Sequence, residues 1–511
     1  MSRKAKVILS SILIFSVVLA AGILLYVKKM APPGEEWISY GREEVIGTID
    51  GQLKGMDIER IVAEKETYVA GKSIQEIQSY VQEGKLNYEE LTAICLQRIK
   101  TLDQKEKGYN SVICVNAHAM EEAREKDAQY PDGQEDISGI YGIPVMLKDN
   151  INTADMPTSA GAEAFSDFYP EKDAELVEKL KADGAIILGK NNLSEFANYL
   201  SGVMPAGYSG RKGQTVNPFS PLKISASGSS SGSAVSVTAD LVPVSIGTET
   251  DGSIVAPASA NSVVGFKPTR GNISSEGIFP LLRKVDTAGP VAKSVKDAAI
   301  AYQAASGIRI STEFQKDALT GKRIGVAGYE YNDGEMLSRM KTKLEELGAD
   351  VIDVDLTSED VIIFNNIRLS FKQEFEEYAK TYGLPIKTLD ELLKYNQEEP
   401  ERRIKYGQDY LEDAQAAQDT DSDEMELSIQ SAEQILGDLF QSKSLDGIVF
   451  LNSSGSTIPA AAGYPELAVP FGKDKKGVPQ GVTFVAQPGE EEKLLNLGYS
   501  FEAHVKGRMS L

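Results

Sequence analysis

The stretch Ser225–Ser259, SASGSSSGSAVSVTADLVPVSIGTETDGSIVAPAS, decides how this chain folds. Its opening Gly/Ser run has the composition of a flexible linker. Two features oppose that reading. The run leads directly into AVSVTADLV, which has the character of a buried helix, and then into the strand-like VPVSIG, so it lies inside one alternating pattern rather than between domains. A Gly/Ser turn that opens a helix presents free backbone N–H groups and hydroxyls to whatever binds there. The second turn, GTETDGS, again places small residues after a strand and ends in Ser253. Two hydroxyl-rich turns facing one another can supply a nucleophile and the donors that stabilise an oxyanion.

The pattern extends in both directions. Upstream, YGIPVMLKD (141–149) reads as a strand and AELVEKLKADGAIILGK (174–190) as a helix leading into a strand. Downstream, KRIGVAGY (322–329) and LEELGADVIDVDL (344–356) continue as strand, helix, strand. Helices leading into buried apolar strands predict an α/β fold, a sheet layered by helices. From Ser73, SIQEIQSYVQEGKLNYEELTAICLQRIKTLDQ carries apolar residues at three- and four-residue spacing, broken at Gly84-Lys85 and restarted near Asn87, and predicts two amphipathic helices. The acidic run between Asp409 and Gln430 reads as the solvated face of an inserted helix rather than a cation site. Beyond residue 72 neither a repeat nor a composition shift marks a second domain.

Composition prunes the chemistry. Of 511 residues, 53 are Lys or Arg and 75 are Asp or Glu, a formal charge of −22 that disfavours a nucleic-acid partner held by phosphate neutralisation. Cys95 and Cys114 are the only cysteines, and His118 and His504 the only histidines, which excludes a disulfide framework and a His/Cys zinc site. Both cysteines read as packed thiols. A serine nucleophile needs a base, and a histidine on a polar helix or seven residues from the C-terminus is poorly placed to be one. Lysine can serve if burial keeps it neutral. Lys148, a charge at the end of the apolar strand GIPVML, is the candidate, with a structural ion pair to Asp149 as the competing reading.

The N-terminus stands apart. After Arg3, Lys4 and Lys6, the stretch Val7–Val27 runs 21 residues without a charge. As a helix it would be roughly 31 Å long, enough to cross a bilayer core. It reads as a transmembrane anchor with the body on the outer side, or, if cut after Ala20, as the signal sequence of a secreted protein. Residues 1–6 are then a short basic tail and 28–71 a linker, with a short helix near Ile58–Lys65.

The strings GIPVMLKDNI, GKNNLSEF, SGSSSGSAVSV, GTETDGSIVAPAS and VGFKPTRG, in this order and spacing, resemble the amidase signature family. The resemblance covers nearly all the chain beyond the anchor and implies one large amidase domain, 72–508, with a mixed β-sheet flanked by helices and a Ser, cis-Ser, Lys triad. Lys148 matches the triad lysine, Ser229 the cis-serine and Ser253, 24 residues on, the acylated nucleophile. Thr250, Asp251 and Gly252 match the oxyanion-hole turn, and Ser230 the serine that supports the lysine. The resemblance implies hydrolysis of an amide C–N bond without metal or organic cofactor. Asp251 and Val255 stand where many members have Gly and Arg; together with Tyr208–Gln214 (YSGRKGQ) they look most like the peptide amidase branch. The implied substrate is a small-molecule or peptide amide without charge. The alternatives are a membrane-anchored fatty acid amide hydrolase, whose acyl channel would involve the apolar run 361–364, an aminoacyl-tRNA amidotransferase subunit, which the charge disfavours, and a tethered binding protein without catalysis. Nothing in the sequence specifies the oligomeric state.

Overall fold

Eleven strands, most of them Val/Ile/Leu-rich, pair into one mixed sheet. In chain order they are β1 (Val112–Val115), β2 (Pro144–Lys148), β3 (Ile186–Asn191), β4 (Val244–Glu249), β5 (Val264–Lys267), β6 (Thr287–Ala292), β7 (Arg323–Ala327), β8 (Asp350–Val354), β9 (Gly447–Leu451), β10 (Glu466–Lys473) and β11 (Pro479–Val485). Their order across the sheet is β1-β3-β2-β4-β6-β5-β10-β11-β9-β7-β8. β3, β2 and β4 run parallel, as do β9, β7 and β8, and antiparallel pairs join the two blocks. These coordinates are a computed structural model, which describes residues 33–130, 139–417 and 422–511.

The central strands are buried throughout, which is why they read as continuous apolar runs rather than as alternations. Helices cover the sheet: Ser231–Thr238 packs on β4, Val295–Ser306 on β6 and Glu491–Val505 on β10. Ser231–Thr238 is wholly buried, and its second residue is glycine for a steric reason. A Cβ at Gly232 would lie 2.4 Å from the Asn192 carbonyl oxygen and 2.5 Å from that of Ser111. The two helices expected after Ser73 each begin with a reciprocal capping box, Ser73 with Glu76 ahead of Ile74–Gln82 and Asn87 with Glu90 ahead of Tyr88–Arg98, which accounts for the break at Gly84-Lys85. Ile58–Lys65 is helical, and so is Arg42–Gln52; Val45, Ile49 and Ile61 of these helices are buried in the main core.

A second apolar cluster lies toward the site. Phe165, Phe196, Phe279, Phe371 and Phe375 pack with ring centroids 5.6–6.5 Å apart and fix the long helix Ile363–Tyr382 over the loops that follow β2 and β3.

The anchor expected at 7–27 lies outside the described residues. Among the described residues no helix is long and apolar enough to cross a membrane. The longest, Ile363–Tyr382 and Ser422–Lys443, carry charges such as Lys372, Glu376, Glu424 and Glu426 along their length. The expected fold class and the membrane-anchored, extracellular placement are therefore corrected: the described residues form a single large α/β domain, a mixed sheet with helices, and none of their helices spans a membrane.

Candidate active site

β2 and β4 are parallel neighbours, so their C-terminal ends reach the same edge of the sheet, and the site is built there. Lys148 closes β2 and Glu249 closes β4. Lys148 is fully buried, and its Nζ lies 2.7 Å from Ser229 Oγ, 2.8 Å from Thr248 Oγ1 and 3.1 Å from the Thr248 carbonyl oxygen. Burial lowers the lysine from 10.5 to about 7, against the opposing pull of the Asp286 and Glu249 charges. All three partners are oxygens that can accept from Nζ, and the two hydroxyls among them, Ser229 and Thr248, can also donate to it when the amine is free. Asp149 is not a partner of Lys148: its carboxylate faces Arg211 at 3.5 Å and accepts from the Ser159 amide at 3.2 Å.

Ser229 follows a cis peptide bond from Gly228. Ser230 links the two turns. Its amide donates to the Ser253 carbonyl at 3.2 Å, and its hydroxyl lies 3.0 Å from the Thr248 carbonyl oxygen and 3.2 Å from the Thr248 amide nitrogen. Ser230 thus meets Thr248, which in turn accepts from Lys148.

The second turn is shaped from below. The Glu249 carboxylate accepts from the amides of Ile254 at 2.6 Å and Val255 at 3.0 Å, which folds the chain back immediately after Ser253. Gly252 has φ +72°, and a Cβ there would stand 3.0 Å from Ser456 Oγ. Among the described residues the amides of Thr250, Asp251, Gly252 and Ser253 have no protein acceptor. Deeper still, Lys267 and Glu466 form a buried pair at 3.5 Å, Lys267 also donates to the Tyr464 carbonyl, and the Lys267 charge opposes the rise that burial causes in Glu249. Asp251 does not point its carboxylate unpaired at the turn. One oxygen accepts from Ser456 Oγ and the other from Thr457 Oγ1, both at 2.9 Å. The residue is open to the cleft yet enclosed by protein, and that setting raises its carboxyl above the ordinary value despite both hydroxyls.

Ser229, Thr250, Asp251 and Ser253 all line one cavity of about 410 Å³. The same lining includes Tyr199, Leu281, Ile363, Phe364, Ile367 and Tyr410. Cys95 is buried in the core with its thiol pushed up to about 12, and neither histidine lines the cavity. Sequence reasoning missed Thr248 and Glu249, although both lie in the GTETDGS turn. It also missed Asp286, Ser456 and Thr457, which have no local pattern to betray them.

The Amidase family model matches residues 90–495. The chain belongs to that family. An amidase family protein from Bacillus anthracis str. Ames superposes with a TM-score of 0.89 at 40% identity, over 94% of this chain and 99% of that one. The native peptide amidase from Stenotrophomonas maltophilia superposes with a TM-score of 0.80 at 34% identity, over 86% and 98%. A probable amidase of Arabidopsis thaliana is 33% identical, over 84% of this chain and 89% of its own length. The amidase fold thus accounts for the mixed sheet, and the cavity at the end of β2 and β4 is its candidate active site.

Proposed function

We propose that this amidase cleaves the C–N bond of peptide amides or other amides without charge through an acyl-enzyme on Ser253, with Ser229 and Lys148 as proton relay and base. The observation that carries the reading is the Lys148 Nζ to Ser229 Oγ contact at 2.7 Å, buried beneath a cavity that Ser253 also lines. Free Lys148 takes the Ser229 proton while Ser229 takes that of Ser253, and Ser253 Oγ adds to the amide carbonyl carbon. The carbonyl oxygen becomes an oxyanion, held by the amides of Thr250, Asp251, Gly252 and Ser253; one such donor is worth about 2.7–4 kcal/mol in related chemistry. The relay returns the proton to the nitrogen, the C–N bond breaks, and ammonia or an amine leaves. Water then adds to the ester by the same relay, releasing the acid and restoring Ser253. Ser230 positions the lysine by fixing Thr248.

The peptide amidase neighbour and the mixed cavity, lined by both apolar and hydroxyl-bearing residues, support a peptide-like amide. The test is ammonia release from a panel of peptide C-terminal amides, with a long-chain acyl amide as comparator. Ser253→Ala is expected to abolish turnover, and Lys148→Ala to lose most at neutral pH. Substantial activity in either variant rejects the assignments, and cleavage of the acyl amide alone rejects the substrate class.

A further inference from the structure

Among the described residues lining the cavity, Asp251 carries the only formal charge. Its carboxylate is held rather than free to swing, because each oxygen accepts one hydroxyl. An ionised carboxylate has about four lone-pair sites, so each oxygen can still receive a donor from the cleft. Among the described residues no arginine or lysine lines the cavity, and the Arg368 charge acts on Tyr199 of its lining. Val255, two residues after Ser253, is apolar and buried, and the buried Lys148 loses its charge above about pH 7. Asp286 and Glu249, behind the turn, add to the same sign. The same lining holds an aromatic wall: Tyr199, Phe364 and Tyr410 meet with centroids 6.0, 5.3 and 4.9 Å apart. Aromatic faces carry negative potential and receive apolar or cationic groups, not anions.

We infer that the Asp251 side chain sets the charge class of the substrate. The cleft takes amides that place an apolar or aromatic group on the Tyr199, Phe364 and Tyr410 wall and offer Asp251 an N–H donor or a cation, and it turns away amides that bring a carboxylate. This rests on the proposed reaction at Ser253 and goes beyond it, since the triad alone is indifferent to the charge beside the scissile bond. Asp251 thereby has two separable parts: a main-chain amide aimed at the oxyanion and a side chain that selects.

The experiment uses three acetylated dipeptide amides with phenylalanine first and lysine, glutamine or glutamate bearing the carboxamide. kcat/KM is read at pH 8 and expressed relative to the glutamine amide. The full-length protein is expected to take the glutamate amide at under a tenth of the glutamine rate and the lysine amide at least as well. Asp251→Asn raises the glutamate-to-glutamine ratio about tenfold and lowers the lysine preference, while Asp251→Glu keeps the original order. A loss common to all three amides cancels in the ratio, so an unchanged ratio overturns the inference even if the variant is slow. Calorimetric titration of the unmutated protein with phenethylammonium and with 3-phenylpropanoate needs neither a variant nor turnover. Binding of the cation at least tenfold tighter supports the inference, and equal or reversed affinities overturn it. Should the cation bind preferentially while none of the amides releases ammonia, the proposed reaction fails and the charge selection stands.

Discussion

In the proposed reaction Lys148 must be a free amine to accept a proton, so its pKa of about 7 would decide at which pH the site is switched on. A fall from 10.5 to about 7 corresponds to roughly 5 kcal/mol against the ammonium form. The sign is fixed by the group being a base. Below pH 7 the lysine is protonated, its lone pair is gone, and Ser229 has no acceptor. kcat/KM for an amide that does not itself titrate should be level above about pH 8 and drop to about a tenth of its plateau at pH 6 and a hundredth at pH 5. A lysine in water would instead leave well under a hundredth of the molecules active at pH 8. Asp286→Asn removes a carboxylate whose charge favours the ammonium, so the midpoint should move toward acid. The assay is ammonia release between pH 5 and 9, with circular dichroism at each pH to establish that the fold persists. A flat profile from pH 5 to 8, or a midpoint near 10.5, would refute the argument. The same shift is a stability statement. Unfolded Lys148 keeps its proton up to 10.5 and the folded residue only to about 7, so burying it costs folding most at and below pH 7, less as the pH rises, and nothing above 10.5.

Glu249→Ala removes the acceptor of two buried amides, Ile254 at 2.6 Å and Val255 at 3.0 Å; kcat should fall at least tenfold with KM little changed, and an unchanged kcat would show that the nucleophile turn holds itself. Gly232→Ala forces a methyl to 2.4 Å from the Asn192 carbonyl oxygen and should cost about 1–3 kcal/mol or more in a urea melt, where an unshifted midpoint would contradict the packing. Arg211→Met leaves the buried Asp149 carboxylate without its cation and should destabilise by about 3–5 kcal/mol. Adding Asp149→Asn to that variant should recover part of the loss, and no recovery would mean the pair is not coupled.

The alternation of helix and apolar strand was readable because each element carries its own period and its own stop signal. Ser73 with Glu76, Asn87 with Glu90 and the Gly84-Lys85 break are local features that the fold obeys directly. The strand ends were readable too, since Lys148 interrupts an apolar run. Strand order was not: β4 neighbours β2 and β6 although about 100 residues separate it from β2, and nothing in either strand names its partner. The packing of Arg42–Gln52 was equally hidden, because its few apolar residues, Val45 and Ile49 among them, barely stand out from acidic surroundings.

The same divide runs through the site. Residue types brought Lys148 and Ser253 into consideration and the family resemblance added Ser229, but the property that would make a lysine useful there belongs to its surroundings. Burial supplies the fall in basicity, and two carboxylates from β4 and from Asp286, far apart in sequence, keep it from falling further. Without Asp286 and Glu249 the amine would titrate lower still and hold a proton too weakly to collect one from Ser229; with a carboxylate in direct contact it would keep its charge. Their placement behind the turn, engaged with Thr250 and with the Ile254 and Val255 amides rather than with Nζ, sets an intermediate value. On the proposed mechanism the residues that tune the base are the ones that shape the nucleophile's turn, so a substitution at Glu249 should disturb kcat and its pH midpoint together, whereas one at Gly252 should disturb kcat alone.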